Sequence, residues 1–397
     1  MNTEEVEVVI VGAGPSGLIT AREAALRGAE VIVFEEHKDV GLPVHCAGLL
    51  SVRGLNEIGV PTNGRYVQNK VRGALFFSPS GFSFTIEKKD YVAYVVNRHL
   101  LDIFLAEQAL KSGALIKLNS KVKSAKRYSG GWLLKFCSNS EIRAKLLIDA
   151  EGASPRILGM TGLKPLETRK LLRGFQADLE GVNVDPDYVE VHLGKSIAPG
   201  LFAWVIPLDH RTVRVGLACR DFNSRERLFK FIEKRFGKTI KDKLSVLKFY
   251  SGLVITCGPI KRTYGDNLMV VGDSAGQVKP ITGGGVIFGG ICATLAGRIA
   301  SEFVRRNGAE GKLLKRYEDE WRAKIGREIK ISLFFRRVLD KLSDRGLDKL
   351  FSVIINEEIY RDLSEIDNVD FYGSTLMNIL RRRMRLNILP DILKVIF

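Results

Sequence analysis

Cysteine is scarce and scattered. Five cysteines sit at positions 46, 137, 219, 257 and 292 of 397 residues, with no CxxC pair and no regular spacing. That excludes a disulfide scaffold, and with it a zinc-type ligand set; no metal is expected, and a reducing cytoplasm is. Proline is infrequent as well, 12 residues against 39 glycines, and internal repeats and low-complexity stretches are lacking. No signal-type segment is expected, since Glu4, Glu5 and Glu7 precede the first apolar run. Long charge-free runs are lacking with one exception. Residues 280–297 are 18 positions without a charge, the length at which a membrane span is suspected. Six of the 18 are glycine and the run opens Pro-Ile-Thr-Gly-Gly-Gly, so it reads as a buried turn and helix facing a cofactor.

Acidic residues are the minority, 45 against 61 basic, for a net charge of +16. The surplus is +12 over residues 1–300 and +4 over 301–397, nearly proportional to length. No basic tail or domain of the nucleic-acid kind exists, and no nucleic-acid partner is expected. Diffuse positive charge fits a solvated surface or an anionic lipid surface, which rewards each cation near it.

What the chain does have starts at Val9. Val9-Ile10-Val11 runs into Gly12-Ala13-Gly14-Pro15-Ser16-Gly17, and a helical pattern follows directly. Strand, glycine turn and helix in that order form a dinucleotide-binding fingerprint. Gly12 allows the tight turn, Gly14 lets a pyrophosphate approach the backbone, and Gly17 brings the helix close to the strand. The free N–H groups and positive dipole end of the helix suit phosphate. A second strand at 30–34 ends in Glu35, placed to take the ribose hydroxyls.

A Gly/Pro-rich loop follows, Gly41-Leu42-Pro43-Val44-His45-Cys46-Ala47-Gly48. Alternating runs over 66–96 predict an antiparallel insertion. Asn97 is placed to cap a helix over 98–112. Strands are predicted at 115–118, 122–128, 131–138 and 141–150. Residues 165–255 read as mostly β-structure with one helix at 224–236, and they are rich enough in Phe, Val and Leu to line a tunnel for an apolar chain. The opening style then returns: 267–276 is an apolar strand meeting the turn Gly272-Asp273-Ser274-Ala275-Gly276, and 279–286 leads into a helix reaching Arg305. Beyond about 312 the pattern is helical. It ends in a basic amphipathic stretch, 376–397, of the kind that suits an anionic interface.

Together, the Gly-x-Gly-x-x-Gly turn with Glu35, the Asp149/Gly152/Ser154/Arg156 turn and the Gly-Asp-Ser-Ala-Gly segment resemble a flavoprotein group. It includes aromatic-ring hydroxylases, flavin halogenases and geranylgeranyl reductases. The resemblance covers residues 6 to about 300. It implies a Rossmann-like FAD-binding domain, α/β with α+β insertions, carrying an inserted antiparallel-sheet substrate domain and a C-terminal helical region. The implied domains are 1–165 (first FAD part, with a small β insertion at about 60–96), 166–255 (substrate sheet), 256–310 (second FAD part) and 311–397 (helical). It also implies that Gly12, Gly14, Pro15, Ser16 and Gly17 hold the FAD pyrophosphate and Glu35 the adenosine ribose. Cys46, Ala47, Gly48 and Arg98 would lie at the flavin and Val122 at the adenine. Asp273 would bond the ribityl or pyrophosphate part, while Gly285 and Val286 would present backbone to the ring.

Two local features narrow the group. Pro43-Val44-His45-Cys46 looks like the Pro-x-x-Cys segment of archaeal digeranylgeranylglycerophospholipid reductases. Phe202-Ala203-Trp204-Val205-Ile206-Pro207, with Gly216, looks like their Tyr-x-Trp-x-Phe-Pro…Gly motif. Ala47 departs from the usual Cys-Gly, and Phe202 and Ile206 replace Tyr and Phe. The implied activity is saturation of geranylgeranyl C=C bonds, with Cys46 catalytic and Trp204, Pro207 and Gly216 at the substrate. The implied partners are an isoprenoid lipid, an electron donor (NAD(P)H, ferredoxin or another reductant) and the inner face of an anionic membrane, where the enzyme would sit peripherally. The Phe-x-Trp-x-Ile-Pro run also echoes flavin halogenases. That keeps open a monooxygenase or halogenase acting on an aromatic compound, although Lys70, Lys88 and Lys89 lie in no recognisable halogenase context.

Overall fold

The protein is described by a computed structural model covering residues 5–237, 244–306, 311–365 and 368–384. A parallel sheet forms first in the chain and closes last. Its strands run Leu268–Val270, Glu141–Asp149, Glu5–Val11, Val31–Phe34 and Leu115–Lys117. Val8 pairs with Leu146 on one side and Val31 on the other. The first strand is thus central and buried on both faces, which is why it reads as an unbroken β-branched run. One face is covered by helix Pro15–Ala25 and helix Val286–Arg305. On the opposite face Val9, Phe34 and Trp132 share a second core.

The two helices approach through glycines. A Cβ on Gly297 would stand 2.5 Å from the Glu23 Cβ and 2.6 Å from the Thr20 carbonyl oxygen. The charge-free run at 280–297 is therefore an internal turn and helix, as its glycines suggested. Helix Val286–Arg305 is long and apolar enough to cross a membrane, but it is mostly buried within the fold.

A seven-stranded sheet lies beside the first. Its order is Ser245–Val254, Leu172–Glu180, Thr212–Cys219, Ala203–Pro207, Tyr188–His192, Gly73–Phe77 and Ser83–Glu87. All neighbours are antiparallel except Tyr188–His192 with Gly73–Phe77. The insertion expected at 66–96 thus divides between two sheets. Its central hairpin extends the seven-stranded sheet, while Val67–Val71 and Ala93–Val96 join Leu49–Ser51 in a three-stranded sheet. Alternation gives the large sheet two chemically different faces. Ala177, Val205, Val215 and Leu217 form a dry core with helix Ser224–Phe236. Gln176, Asp178, Trp204 and Arg214 occupy the other face.

The described residues from 311 onward form helices: Gly311–Trp321, a π-helical turn Arg322–Gly326, Arg327–Lys341, Asp344–Asn356, Ile359–Ser364 and Tyr372–Met384. Tyr317 and Trp321 are fully buried and anchor the first of these, Tyr317 Oη donating to the Val270 carbonyl and Trp321 Nε1 to Thr263 Oγ1. The amphipathic stretch expected at 376–397 falls within the described residues only as far as 384.

Candidate functional site

The glycine turn divides its three glycines between packing and opening. A Cβ on Gly12 would stand 2.4 Å from the Ala150 carbonyl oxygen, and Gly12 itself has φ +106°. A Cβ on Gly17 would stand 2.0 Å from the Gly12 carbonyl oxygen. At Gly14 a Cβ would meet nothing within 4 Å. Gly12 and Gly17 are therefore required by neighbouring backbone, whereas Gly14 borders open space where a ligand can approach. Pro15 opens the helix and Ser16 follows in its first turn. Glu35 closes the turn: its carboxylate accepts from the Ala13 N–H at 2.8 Å and from the His37 N–H at 3.0 Å.

The second turn meets the first. A Cβ on Gly272 would stand 2.4 Å from Ser16 Oγ. Asp273 lies beside Gly285, whose added Cβ would be 2.2 Å from Asp273 Oδ1. Gly285 is the N-cap of helix Val286–Arg305, with Val286 its first residue. Ser274 joins this turn to the 149–156 segment, accepting from the Gly152 N–H at 2.9 Å and donating to the Gly152 carbonyl at 3.1 Å. Asp149 is completely buried there. Its Oδ1 accepts from the Glu151 N–H at 3.2 Å, and its Oδ2 has no partner among the described residues. Burial first, then the neighbouring Glu151, pushes the Asp149 carboxyl well above its usual range. Burial also raises Asp273, opposed by the charge of Arg98.

Arg98 is the hub of the site. Asn97 caps its helix, Arg98–Lys111, by accepting from the Leu100 N–H at 3.2 Å. Arg98 then grips Asp102 with Nε at 3.1 Å and Nη2 at 3.0 Å. Burial opposes its charge, but Asp102 and then the Cys46 thiol outweigh that and hold the guanidinium protonated. Cys46 is half-buried on its loop, its Sγ accepting from the Gly48 N–H at 3.4 Å. Cys46, Arg98, Asp273 and Gly285, drawn from four separate stretches of sequence, thus belong to one neighbourhood. Val122 does not join them: it is packed in the core on the opposite face of the parallel sheet, with Phe34 and Phe136.

Of the residues predicted to lie at the substrate, Trp204 and Gly216 share one face of the large sheet, whereas Pro207, out of phase with Trp204 and paired with Val213, belongs to the opposite, dry face. Trp204, Gly216 and Gln176 share one rung of the sheet. A Cβ on Gly216 would come within 2.5 Å of the Trp204 ring and 2.6 Å of the Gln176 Cβ, so the glycine makes room for both. Phe202 meets Trp204 edge-on at 6.1 Å. Pro207 is buried, and its carbonyl accepts from Asn69 Nδ2 at 3.1 Å.

The Trp204 face is not the purely apolar surface that composition suggests. Arg214, 5% exposed, is bonded to both oxygens of buried Asp178, and Tyr250 Oη donates to the same carboxylate at 2.7 Å. Burial and then Asp178 push the Tyr250 phenol up to about 12. Neither Arg214 nor Asp178 was singled out from the sequence. The available signal was a lone arginine between Val213 and Val215 in an otherwise apolar strand. Also unforeseen was the attachment of the C-terminal region. Asp370 accepts from Lys279 Nζ at 2.7 Å and from Ser51 Oγ, tying residues next to the glycine-rich turn to the last helices.

Comparison with known proteins follows the same division. Residues 172–254 match the model of a geranylgeranyl reductase catalytic domain, and residues 10–54 that of an NAD(P)-binding Rossmann-like domain. The digeranylgeranylglycerophospholipid reductase of Methanocaldococcus jannaschii is 34% identical over 356 residues, covering 87% of this chain and 89% of that protein. The chain belongs to this reductase family. A second member, digeranylgeranylglycerophospholipid reductase 2 of Methanothermobacter thermautotrophicus, is 33% identical across 98% of this chain and 99% of its own length. Among solved structures, a geranylgeranyl bacteriochlorophyll reductase-like protein from Thermoplasma acidophilum superposes with a TM-score of 0.87 at 26% identity, each chain fully covered. A p-nitrophenol 4-monooxygenase from Pseudomonas putida shares the fold at a TM-score of 0.73 and 18% identity, over 94% of this chain and 98% of that one. As a member of the reductase family the chain is an oxidoreductase built on a dinucleotide-binding fold, and its flavoprotein-type neighbours point to a flavin cofactor.

Proposed function

We propose that the protein is an FAD-dependent reductase that saturates C=C bonds in the geranylgeranyl chains of membrane phospholipids. The observation that carries this reading is the position of the Cys46 loop. One side of it faces Arg98 in the dinucleotide-binding half, and the other is hydrogen-bonded to Arg214 in the reductase-type sheet.

The residues present fit FAD. Gly14 leaves the backbone open for a pyrophosphate at a helix N-terminus. Glu35 and Asp273 supply carboxylates for hydroxyls, and Gly285 and Val286 begin a helix whose free N–H groups suit the electron-rich side of a flavin. Cys46, Ala47, Gly48 and Arg98 would border the ring, and Val122 the adenine. Bound and reduced, FAD supplies a hydride to one alkene carbon. The protein's own tasks are to hold the isoprenoid chain on the Trp204–Gly216 surface and to bring a proton to the other carbon. Cys46 is the acid on the loop, with the Arg98 guanidinium beside it.

The reductant that reloads the flavin is NAD(P)H, a ferredoxin or another donor. A basic exterior suits an acidic electron carrier and also the anionic inner membrane surface where such a lipid resides. The test is anaerobic. Flavin-loaded protein is reduced with dithionite and mixed with a geranylgeranyl phospholipid. Reoxidation of the flavin, with a mass gain of two hydrogens per double bond, is expected; flavin that stays reduced until oxygen is admitted refutes the reductase reading.

A further inference from the structure

The loop carrying Cys46 obtains its hydrogen bonds from an unusual source. Three consecutive carbonyls are held by side chains of the seven-stranded sheet. Gln176 Nε2 donates to the His45 oxygen at 3.4 Å, and Arg214 Nη1 to the Cys46 oxygen at 3.4 Å and the Ala47 oxygen at 3.1 Å. In return, the His45 imidazole Nδ1 sits 2.5 Å from the Ser251 carbonyl of the edge strand. Backbone carbonyls are obligatory acceptors, so these side chains, by supplying three donors at fixed points, set where the loop rests.

Arg214 does most of this and is itself over-determined. Its Nε donates to Asp178 Oδ1 at 2.7 Å and its Nη2 to Oδ2 at 2.8 Å. Nη2 also reaches Tyr250 Oη at 3.3 Å, and the guanidinium lies over the Tyr250 ring at 4.8 Å from its centre. Burial opposes the Arg214 charge, but Asp178 more than compensates and holds it protonated. A planar fork anchored on one side by a carboxylate presents its remaining nitrogen in a fixed direction, which a lysine ammonium cannot reproduce.

We infer that Arg214, braced by Asp178 and Tyr250, is a positioning residue that fixes the Cys46 loop against the substrate sheet and so sets the thiol at its working place beside Arg98. This rests on the assignment of Cys46 to the reduction proposed above. The clamp joins the two halves: the loop belongs to the chain that binds dinucleotide, the arginine to the sheet that holds substrate. Movement of the sheet would therefore carry the thiol with it.

The test compares Arg214→Met and Arg214→Lys with the wild type, all loaded with FAD. Alkylation of Cys46 by iodoacetamide is followed by peptide mass analysis across pH, together with amide hydrogen exchange over 44–50. Arg214→Met is expected to raise the alkylation rate about tenfold and to speed exchange in the loop. Its kcat on the lipid should fall at least tenfold with KM changed less than threefold, and FAD content should be retained. Arg214→Lys keeps the charge but loses the fork, and should recover less than half of each effect. Tyr250→Phe removes only the hydroxyl brace and serves if Arg214→Met does not fold; a shift of about twofold in the same direction is expected. Alkylation and exchange in the folded variants indistinguishable from wild type would overturn the clamp, as would full rescue by lysine. Both readouts are independent of turnover, so failure of the lipid to reoxidise flavin would refute the proposed reaction while leaving the clamp to be judged by itself.

Discussion

The two halves of the molecule position their working groups by opposite means. In the dinucleotide-binding half, backbone packs on backbone: Gly12 against Ala150, Gly17 against Gly12, Gly297 against Thr20. At these glycines a side chain matters by its absence. In the reductase-type sheet the reverse holds. Arg214, Asp178, Tyr250 and Gln176 are buried or half-buried polar groups that reach across to another element. Close backbone packing admits a short list of residues at defined spacing. A buried charge network tolerates many arrangements, provided that every partner is present.

The largest expected effect is in the glycine turn. Gly17→Ala forces a Cβ into the Gly12 carbonyl in the tight turn just past the core strand, and should yield little folded protein, or a loss of thermal stability exceeding that of every other variant here. Gly14→Ala should leave the melting temperature of the flavin-free protein unchanged while weakening flavin retention about tenfold, because only the ligand uses that space. Equal damage from both would break the division between packing and opening.

Asp370→Ala strands the Lys279 ammonium, whose side chain is only 14% exposed. A loss of about 3–5 kcal/mol is expected from denaturant midpoints, since removing the carboxylate leaves a buried ammonium without its counter-charge. Burial works against that ammonium, yet Tyr372 and Asp370 outweigh it and raise its pKa.

Glu190 provides a pH test within the reductase-type sheet. Burial would raise its pKa, but Arg235 and then His192 outweigh that and bring it down to about 2, from an ordinary 4.5. A depressed folded-state pKa stabilises fully above 4.5, and that contribution is lost as pH falls from 4.5 toward about 2. The loss amounts to about 3 kcal/mol. Glu190→Gln should lack this acid limb in a urea titration against pH. An unchanged limb would mean that the sheet's dry face does not depend on its ion pairs.

The smallest effect is at the start of the Arg98 helix. Asn97→Ala removes the cap on the Leu100 N–H and should cost about 1 kcal/mol. Flavin binding should fall only slightly, because Asp102 still orients Arg98.

Most elements were readable because their periodicities are strong. The strand at 122–128 and the helix at 224–236 have the expected bounds. Asn97 caps its helix as predicted. The 66–96 insertion was legible as antiparallel strands, but not its division between two sheets. Hydrophobic alternation specifies a face, not a neighbour. The candidate site was legible at Gly12, Gly14, Gly17, Glu35 and Cys46, whose types are constrained by turn geometry or chemistry. Arg214, Asp178, Tyr250 and Lys279 escaped notice, since a single charged residue in a strand looks the same whether it faces water or a buried partner.

The sequence by itself determined the dinucleotide-binding fold, the order of its parts and the membership of a reductase family. Those properties rest on local spacing, on glycines that only close backbone contact demands, and on runs of fixed period. The tertiary structure alone decided that the Cys46 loop lies between Arg98 and Arg214, 52 and 168 positions away, and that Asp370 anchors the last helices beside the glycine-rich turn. Such pairings depend on buried charge finding its complement across the chain, and that is set when the sheets pack.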